Sequence, residues 1–242
     1  MNSKDNLFDQ IRAELKPFEF DQHVAEVFED MIQRSVPGYR ELVEQIGILA
    51  PHVVQPHSNV YDLGTSLGAV TMAVRRRVND SSVTVHAVDN SSAMIQRCRL
   101  LMDAYQSAVP VVIVEDDINN IAIENASLVV LNFTLQFIAK EERQSLLQTI
   151  YDGMLPGGIL VLSEKFANSN SHLDELIQSL HEDFKRSQGY SELEISQKRE
   201  ALQDVLIPET RTEHIERLTV TGFREVSLWY QQYNFASLLA VK

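Results

Sequence analysis

The sequence predicts one α/β domain built on a mostly parallel, seven-stranded β-sheet, and three observations support this fold class. Short runs rich in Val, Ile and Leu alternate with amphipathic stretches of helical length. Near-continuous apolar strands are typical of a parallel sheet covered by helices on both faces. The last two β-rich runs are close enough to predict an antiparallel hairpin at the C-terminus. The 242 residues accommodate a single domain of this kind.

Two helices are predicted before the first strand, within residues 1–55. Apolar residues recur at helical spacing across residues 24–32, and Pro37-Gly38 separates them from a second helix at residues 39–50. The parallel strands are predicted at residues 59–63, 83–88, 111–114, 128–132 and 159–163. The helices between these strands are predicted near residues 67–77, 91–105 and 140–154.

A helical insertion interrupts this alternation after the fifth strand, at residues 166–207. One of its helices is predicted from an apolar stripe of Leu173, Leu176, Ile177, Leu180 and Phe184. A second helix is expected around residues 193–202. Because the insertion has no predicted strand, we expect a lid or a dimer element. A helix near residues 209–220 and hairpin strands at residues 224–231 and 233–241 complete the chain.

Charge and cysteine content limit the classes of partner. The formal net charge is −13, from 21 Lys and Arg against 34 Asp and Glu, and it disfavours direct nucleic-acid binding. The single cysteine, Cys98, cannot form an internal disulfide, which favours a reducing cytoplasm. The first residues are polar, and no apolar run approaches the roughly 18 residues that span a bilayer. We therefore expect a cytoplasmic protein without a membrane partner, and the histidine spacing predicts no metal site.

The most informative segment is the turn that follows the first strand, at residues 60–68. Small residues at Gly64, Ser66 and Gly68 allow a ligand to approach the backbone closely. The helix that begins after them offers free N–H groups to a polar or anionic ligand. Asp62, at the end of the strand, is expected to anchor the turn or to contact a cationic ligand group.

Four interpretations of this turn remain open. A dinucleotide fingerprint is poorly matched, because Ser66 and Ala69 stand where two of its glycines are required. The nucleophile-elbow pattern G-x-S-x-G is matched literally, but no downstream histidine is predicted at a strand end. The turn also fits the S-adenosylmethionine site of class I methyltransferase-like enzymes. It is otherwise a glycine turn without a ligand.

Polar residues at the ends of the next strands favour the S-adenosylmethionine interpretation. Asp89 can accept both ribose hydroxyls of a nucleoside, or it can cap the following helix. Asn90 can contact adenine or ribose. Asp117 can accept a hydrogen bond from the adenine amine while Ile118 covers the ring, unless this segment is only an acidic surface loop. Asn132 can contact the amino-acid part of the cofactor, or it is a buried amide that the backbone satisfies.

Longer segments outside these generic motifs resemble the carboxy-S-adenosyl-L-methionine synthases, which are class I methyltransferase-like enzymes with a Rossmann-like fold. The segments are AEVF at 25–28, DMIQRSVPGY at 30–39, VVLNFTLQF at 129–137, LSEKF at 162–166 and GYSELEISQKR at 189–199. The resemblance spans the whole chain and implies a single S-adenosylmethionine-binding domain over residues 1–242. It implies conversion of S-adenosylmethionine and prephenate into carboxy-S-adenosylmethionine and phenylpyruvate by a homodimer. A separate tRNA carboxymethyltransferase then uses the product to modify the wobble uridine.

The resemblance also implies which residues bind the adenosyl ligand. They are Tyr39, Gly64, Thr65, Ser66, Asp89, Asn90, Asp117, Ile118, Asn132 and Arg199. Arg199 and Tyr39 are the implied catalytic residues, since a guanidinium and a hydroxyl suit the carboxylate formed beside the sulfonium. Family members often have Cys in place of Thr65, where we expect a backbone contribution. Arg34 is a second candidate for holding the dicarboxylate substrate, and no side chain is identified as the base.

Two other classes of function remain open. An ordinary S-adenosylmethionine-dependent methyltransferase, acting on a small molecule or on tRNA, would share the fold and the cofactor residues. A non-catalytic S-adenosylmethionine-binding subunit would dock a partner through the aromatic cluster at residues 229–233. The products distinguish these functions, because a methyltransferase releases S-adenosylhomocysteine and a binding subunit changes nothing.

Overall fold

A single β-sheet forms the centre of the computed structural model, which describes residues 4–11 and 16–242. Its strands are β1 (Asn59–Leu63), β2 (Thr84–Asp89), β3 (Val111–Glu115), β4 (Ala126–Asn132), β5 (Met154–Ala167), β6 (Glu209–Thr210), β7 (Glu225–Gln232) and β8 (Phe235–Val241). Their order is β3-β2-β1-β4-β5-β8-β7, and β6 pairs with β5 beside this path. The first five strands are parallel, and β8 is antiparallel to both β5 and β7. The predicted parallel sheet with a C-terminal hairpin is confirmed.

Eight α-helices accompany this sheet in the described part of the chain. They are α1 (Gln22–Ser35), α2 (Tyr39–Val53), α3 (Ala69–Arg77), α4 (Ser92–Asp103), α5 (Lys140–Gly153), α6 (Ser171–Ser187), α7 (Glu192–Leu202) and α8 (Arg211–Thr221). Among the described residues, no helix combines the length and the apolarity that crossing a membrane requires. The polar N-terminus noted in the sequence lies partly outside the described residues, because residues 1–3 are not among them.

The two faces of the sheet bury separate apolar clusters, as the strand pattern predicts. Successive residues of each strand point to opposite faces, so Leu131 and Val130 on β4 belong to different clusters. Helices α5 and α8 cover the Leu131 face with residues that include Leu147 and Leu218. Helices α2 and α3 cover the Val130 face with residues that include Ile46. A third cluster joins the N-terminal segment to α1, α4 and α7.

The boundaries of β5 and α8 differ from the sequence-based expectation for reasons that lie in the tertiary structure and in a helix cap. Strand β5 covers Met154–Ala167 instead of residues 159–163, because neighbouring strands continue its hydrogen-bond ladder on both sides. Phe166, which we placed in the insertion, is therefore a strand residue that pairs with Glu209. The helix predicted from residue 209 begins at Arg211, because Thr210 caps it in a reciprocal capping box with Glu213. The extra strand β6 raises the total from the seven predicted strands to eight.

Two glycines flank the start of β5 and provide a matched test of the packing there. A Cβ added at Gly153 would lie 2.0 Å from the Ile123 carbonyl oxygen, whereas a Cβ at Gly157 would meet nothing within 4 Å. Gly157 has a left-handed φ of +75°, so alanine there costs only conformational energy. We expect Gly153→Ala to lower the free energy of unfolding by more than about 3 kcal/mol and Gly157→Ala by about 1–2 kcal/mol. Urea unfolding of the two variants measures the difference, and a larger loss at Gly157 would contradict this packing.

Candidate functional site

A cavity of about 500 Å³ opens at the carboxyl ends of the parallel strands. This is the edge at which open α/β sheets bind ligands. All of the site residues implied by the sequence line this one cavity, although they come from positions 39 to 199. They are Tyr39, Gly64, Thr65, Ser66, Asp89, Asn90, Asp117, Ile118, Asn132 and Arg199.

The turn between β1 and α3 follows a left-handed path at alternate residues. Gly64, Ser66 and Gly68 have φ values of 80°, 49° and 84°. Glycine is required at position 64, because an added Cβ would lie 2.4 Å from the Thr134 hydroxyl oxygen. Ser66 adopts a conformation that side chains disfavour, and its backbone N–H donates to Oδ2 of Asp89 at 2.8 Å. The turn is therefore held in place by contacts within the protein.

Asp62 anchors this turn through hydrogen bonds to its carboxylate, which was one of the two roles expected for it. Its Oδ2 accepts hydrogen bonds from the Thr65 hydroxyl at 2.7 Å, the Thr71 hydroxyl at 2.7 Å and the Thr71 backbone N–H at 3.0 Å. Burial raises the pKa of Asp62, and these three donors oppose that rise. The Thr65 hydroxyl is thus engaged inside the turn.

Asp89 combines the capping role with a place in the cavity. Its Oδ1 accepts from the Ser91 backbone N–H at 2.9 Å, and its Oδ2 accepts from the N–H of Ser66. A carboxylate oxygen has two acceptor positions, so each of these oxygens can accept one more hydrogen bond. Burial raises the pKa of Asp89, and its two backbone hydrogen bonds oppose that rise. The carboxylate therefore retains two acceptor positions, as the two hydroxyls of a ribose require.

Asp117, Ile118 and Asn132 complete the strand-end residues that line the cavity. The Asp117 carboxylate accepts from the backbone N–H of Asn119 at 2.8 Å and caps a short 3-10 turn. Ile118 is buried and apolar. The Oδ1 atom of Asn132 is buried and has no hydrogen-bond partner among the described residues. Since buried acceptors normally have a partner, this oxygen suits a donor supplied by a ligand, such as an ammonium group.

Tyr39 and Arg199 approach the cavity from the helices. Tyr39 is the first residue of α2, after a left-handed Gly38. Burial, reinforced by the charge of Asp62, raises the pKa of Tyr39 well above its usual value, so its hydroxyl stays protonated and can donate. Arg199 on α7 is 57 % exposed, and its Nη1 donates to Oε1 of Glu182 at 2.8 Å. It lines the cavity of its own chain.

Four basic residues that the sequence analysis did not assign to the site also line the cavity. They are Lys165, His181, Lys185 and Lys198. His181 and Lys185 are four residues apart on α6, and this spacing was the available signal. Arg34, our second candidate for holding the substrate, does not line the cavity. Its Nε donates to the Gln188 carbonyl oxygen at 2.9 Å, and its guanidinium lies over the Tyr190 ring.

The fold and the cavity together define a class I methyltransferase-like protein. Residues 60–158 match the family described as "Methyltransferase domain". Human N-acetylserotonin methyltransferase, solved in complex with S-adenosylmethionine, superimposes with a TM-score of 0.60 at 19 % identity. That match covers 91 % of this chain and 55 % of the human chain, and it shows the fold alone.

Full-length relatives make the assignment more specific. The carboxy-S-adenosyl-L-methionine synthase of Vibrio cholerae is 53 % identical over 242 residues, covering 100 % of this chain and 98 % of the relative. The synthase of Photobacterium profundum is also 53 % identical, over 100 % of this chain and 99 % of the relative. The chain belongs to the carboxy-S-adenosyl-L-methionine synthase family.

Replacement of Asp89 tests the ribose end of the cavity. We expect Asp89→Ala to weaken S-adenosylmethionine and S-adenosylhomocysteine equally, because the two ligands share the ribose. Losing charge-assisted hydrogen bonds of about 1.5–3 kcal/mol weakens affinity about 10- to 150-fold. Asp103→Ala is the matched control, since it removes an exposed carboxylate from the end of α4. Calorimetric titration measures the affinity for both ligands. Unchanged affinities in Asp89→Ala would show that the ribose does not bind at Asp89.

Proposed function

We propose that this protein converts S-adenosylmethionine and prephenate into carboxy-S-adenosylmethionine and phenylpyruvate. The observation that carries the proposal is the 53 % identity to carboxy-S-adenosyl-L-methionine synthases over the entire chain. A single cavity lined by all of the implied ligand residues supports it. We further propose that the product is the carboxymethyl donor for a tRNA carboxymethyltransferase that modifies the wobble uridine, and that the protein acts in the cytoplasm.

The proposed chemistry balances without a metal or a redox partner. Prephenate loses its ring carboxylate as carbon dioxide and its ring hydroxyl as hydroxide, which leaves the aromatic ring of phenylpyruvate. The sulfonium acidifies the S-methyl group, and its proton combines with the departing hydroxide to give water. The resulting ylide carbon attacks carbon dioxide and forms the new carbon–carbon bond. In the described part of the chain, no three His, Cys, Asp or Glu residues are grouped so as to hold a metal ion.

Tyr39 and Arg199 are the proposed contacts of the new carboxylate. The Tyr39 hydroxyl remains a donor because its pKa is high. Arg199 offers several N–H donors, of which Glu182 accepts one in this structure. A carboxylate formed beside them can accept hydrogen bonds from both residues, whereas the methyl group that it replaces cannot. This difference favours binding of the product over S-adenosylmethionine.

The product of the reaction tests the proposal directly. Purified protein is incubated with S-adenosylmethionine and prephenate, and the small molecules are released and analysed by mass spectrometry. We expect an adenosyl sulfonium that is heavier by one carbon dioxide, formed in step with phenylpyruvate. S-adenosylhomocysteine as the product would instead identify an ordinary methyltransferase. Unchanged S-adenosylmethionine would favour a binding subunit.

Replacement of Arg199 separates binding of the cofactor from binding of the carboxylate. We expect Arg199→Ala to bind S-adenosylmethionine within about twofold of the parent, because the methyl group accepts no hydrogen bond. Affinity for carboxy-S-adenosylmethionine should fall about 10- to 150-fold, as for a lost charge-assisted hydrogen bond. The neighbouring Glu200→Ala is the control. Equal affinities of Arg199→Ala and the parent for the carboxylated ligand would exclude Arg199 from the site.

The apolar stripe of α6 supports the proposal that the protein is a homodimer. Leu173, Leu176 and Leu180 recur at helical spacing and are 46 %, 50 % and 40 % exposed. An exposed row of large apolar side chains is typical of a protein interface. The same helix carries His181 and Lys185 into the cavity. Packing of two copies through α6 would therefore also support the wall of each site.

A charge placed in the stripe tests the dimer. We expect Leu176→Glu to convert the dimer to a monomer, because burying an unpaired carboxylate opposes association. The control is Leu100→Glu, which places the same charge at an exposed leucine of α4. Sedimentation equilibrium of both variants measures the oligomeric state. A parent that is monomeric, or a Leu176→Glu variant that remains dimeric, would show that this stripe is not a dimer interface.

A further inference from the structure

Basic side chains gather in one region of the cavity, although the chain as a whole is strongly acidic. This region, which we call the lysine pocket, is formed by Lys165, His181, Lys185 and Lys198. Lys165 lies on strand β5, His181 and Lys185 lie on helix α6, and Lys198 lies on helix α7. The three lysines of the pocket are like charges, and such a cluster is costly inside a protein unless something opposes it. The partners of each amine therefore decide what the pocket can hold.

Strand register places Lys165 beside the residue expected to contact the amino-acid part of the adenosyl ligand. Asn132 is opposite Ser163 in the β4–β5 ladder. Lys165 follows Ser163 by two residues, so its side chain leaves the same face of the sheet as Asn132. On the other side, Lys165 pairs in register with Phe235 of β8. Lys165 therefore lies between the cofactor end of the cavity and Phe235.

The His181 ring connects Lys185 and Lys198 to Phe235, the residue that pairs with Lys165. It packs edge-on against the Phe235 ring, with the ring centroids 4.8 Å apart. Lys185 follows His181 by one turn of α6, on the same face of the helix. The Nε2 atom of His181 is 2.8 Å from the Ser35 carbonyl oxygen, and Lys198 donates to the hydroxyl of the same serine at 2.8 Å.

Two of the three lysines have no anionic partner in the described chain. The Lys198 amine is 3.7 Å from the Asp5 carboxylate, and Arg199 at the rim is paired with Glu182. No carboxylate oxygen of the described residues lies within the 4.0 Å ion-pair distance of Lys165 or Lys185. Burial, and then the charges of Lys165 and Lys198, lower the pKa of Lys185 to about 8, so it remains mostly protonated at neutral pH. Burial likewise lowers the pKa of Lys165, which the carboxylates of Asp174 and Glu182 oppose.

We propose that Lys165 and Lys185 bind the two carboxylates of the second substrate, so that the lysine pocket is a site for an organic dianion. Two half-buried cations that have no anionic partner among the described residues match two negative charges in number. The apolar surroundings of the amines, which include Phe235 and the neighbouring Phe133, suit a ring that carries those carboxylates. The proposal rests on the proposed function for the identity of the dianion, but the binding site itself does not depend on turnover.

The same amines could in principle hold the carboxylate of the adenosyl ligand, and charge counting argues against that. S-adenosylmethionine has one carboxylate, and its ammonium and sulfonium groups would add two positive charges to the region. A dianion instead neutralises both lysines and leaves the region close to neutral. Binding of the second substrate should therefore fall when either lysine is removed, while binding of the adenosyl ligand should not.

The test uses Lys165→Met and Lys185→Met, which remove the charges and retain the apolar stems. Because each change removes a half-buried charge that no carboxylate of the described residues pairs with, we expect both variants to fold with an unchanged or higher melting temperature. Arg186→Gln is the matched control, since it removes a positive charge from the solvent side of the same helix. Each protein is saturated with S-adenosylhomocysteine and titrated with prephenate, a dianion, and with phenylpyruvate, a monoanion.

We expect each lysine variant to bind prephenate about 10- to 100-fold more weakly than the parent, with a smaller loss for phenylpyruvate. The dissociation constant of S-adenosylhomocysteine should stay within about twofold, and Lys185→Arg should recover part of the affinity that Lys185→Met loses. Unchanged prephenate affinity in both variants would overturn the proposal. So would a parent that does not bind prephenate, or variants that lose S-adenosylhomocysteine to the same extent. A parent that binds prephenate but forms no carboxylated product would contradict the proposed function and leave the dianion site standing.

Discussion

The conformation of the β1–α3 turn is the constraint on which the cavity depends. Three alternate residues of this turn are left-handed, and one of them, Ser66, has a side chain. Such a path is held only where the surroundings determine it. Asp62 binds the turn through Thr65 and Thr71, and Asp89 binds it through the N–H of Ser66. Two carboxylates from adjacent strands therefore shape the backbone that a ligand would approach.

A buried polar network plays the equivalent role at the β4–α5 connection. The Glu164 carboxylate accepts hydrogen bonds from the N–H groups of Leu135 and Gln136, both at 2.9 Å. The Arg143 guanidinium donates to the carbonyl oxygens of Gln136 and Ile207, at 3.2 and 2.9 Å, and is paired with Glu209. Ile207 is the last residue of the helical insertion, Glu209 follows it in β6, and Gln136 lines the cavity. The network thus connects the insertion to the cavity wall by contacts inside the protein.

The cavity combines acidic and basic residues that suit two different ligands. Asp89 and Asp117 line it at the strand ends, where a nucleoside with a sulfonium is expected. Asn132 adds an acceptor that has no hydrogen-bond partner among the described residues. Lys165 on β5 and Lys185 on α6 line another part of the cavity, next to the contact between the Phe235 and His181 rings. A reaction that joins a cationic cofactor to a fragment of an anionic substrate needs both environments within one enclosure. The proposed dianion site is therefore a locally basic region in a protein whose net charge is −13.

The sequence alone determined the order of the elements other than β6, the antiparallel hairpin and the strand-end residues of the candidate site, because periodicity and the residue after each strand are local properties. Motif spacing and family resemblance placed Asp89, Asn132 and Arg199, and all three line the cavity. The length of β5 was not predictable, because partner strands on both sides extend it. The interior role of Arg34 also depended on partners that are distant in sequence, such as Gln188. Only the tertiary structure brought Lys165 beside His181 and Lys185, because β8, which pairs with β5 at Lys165, meets α6 through the packing of Phe235 against His181.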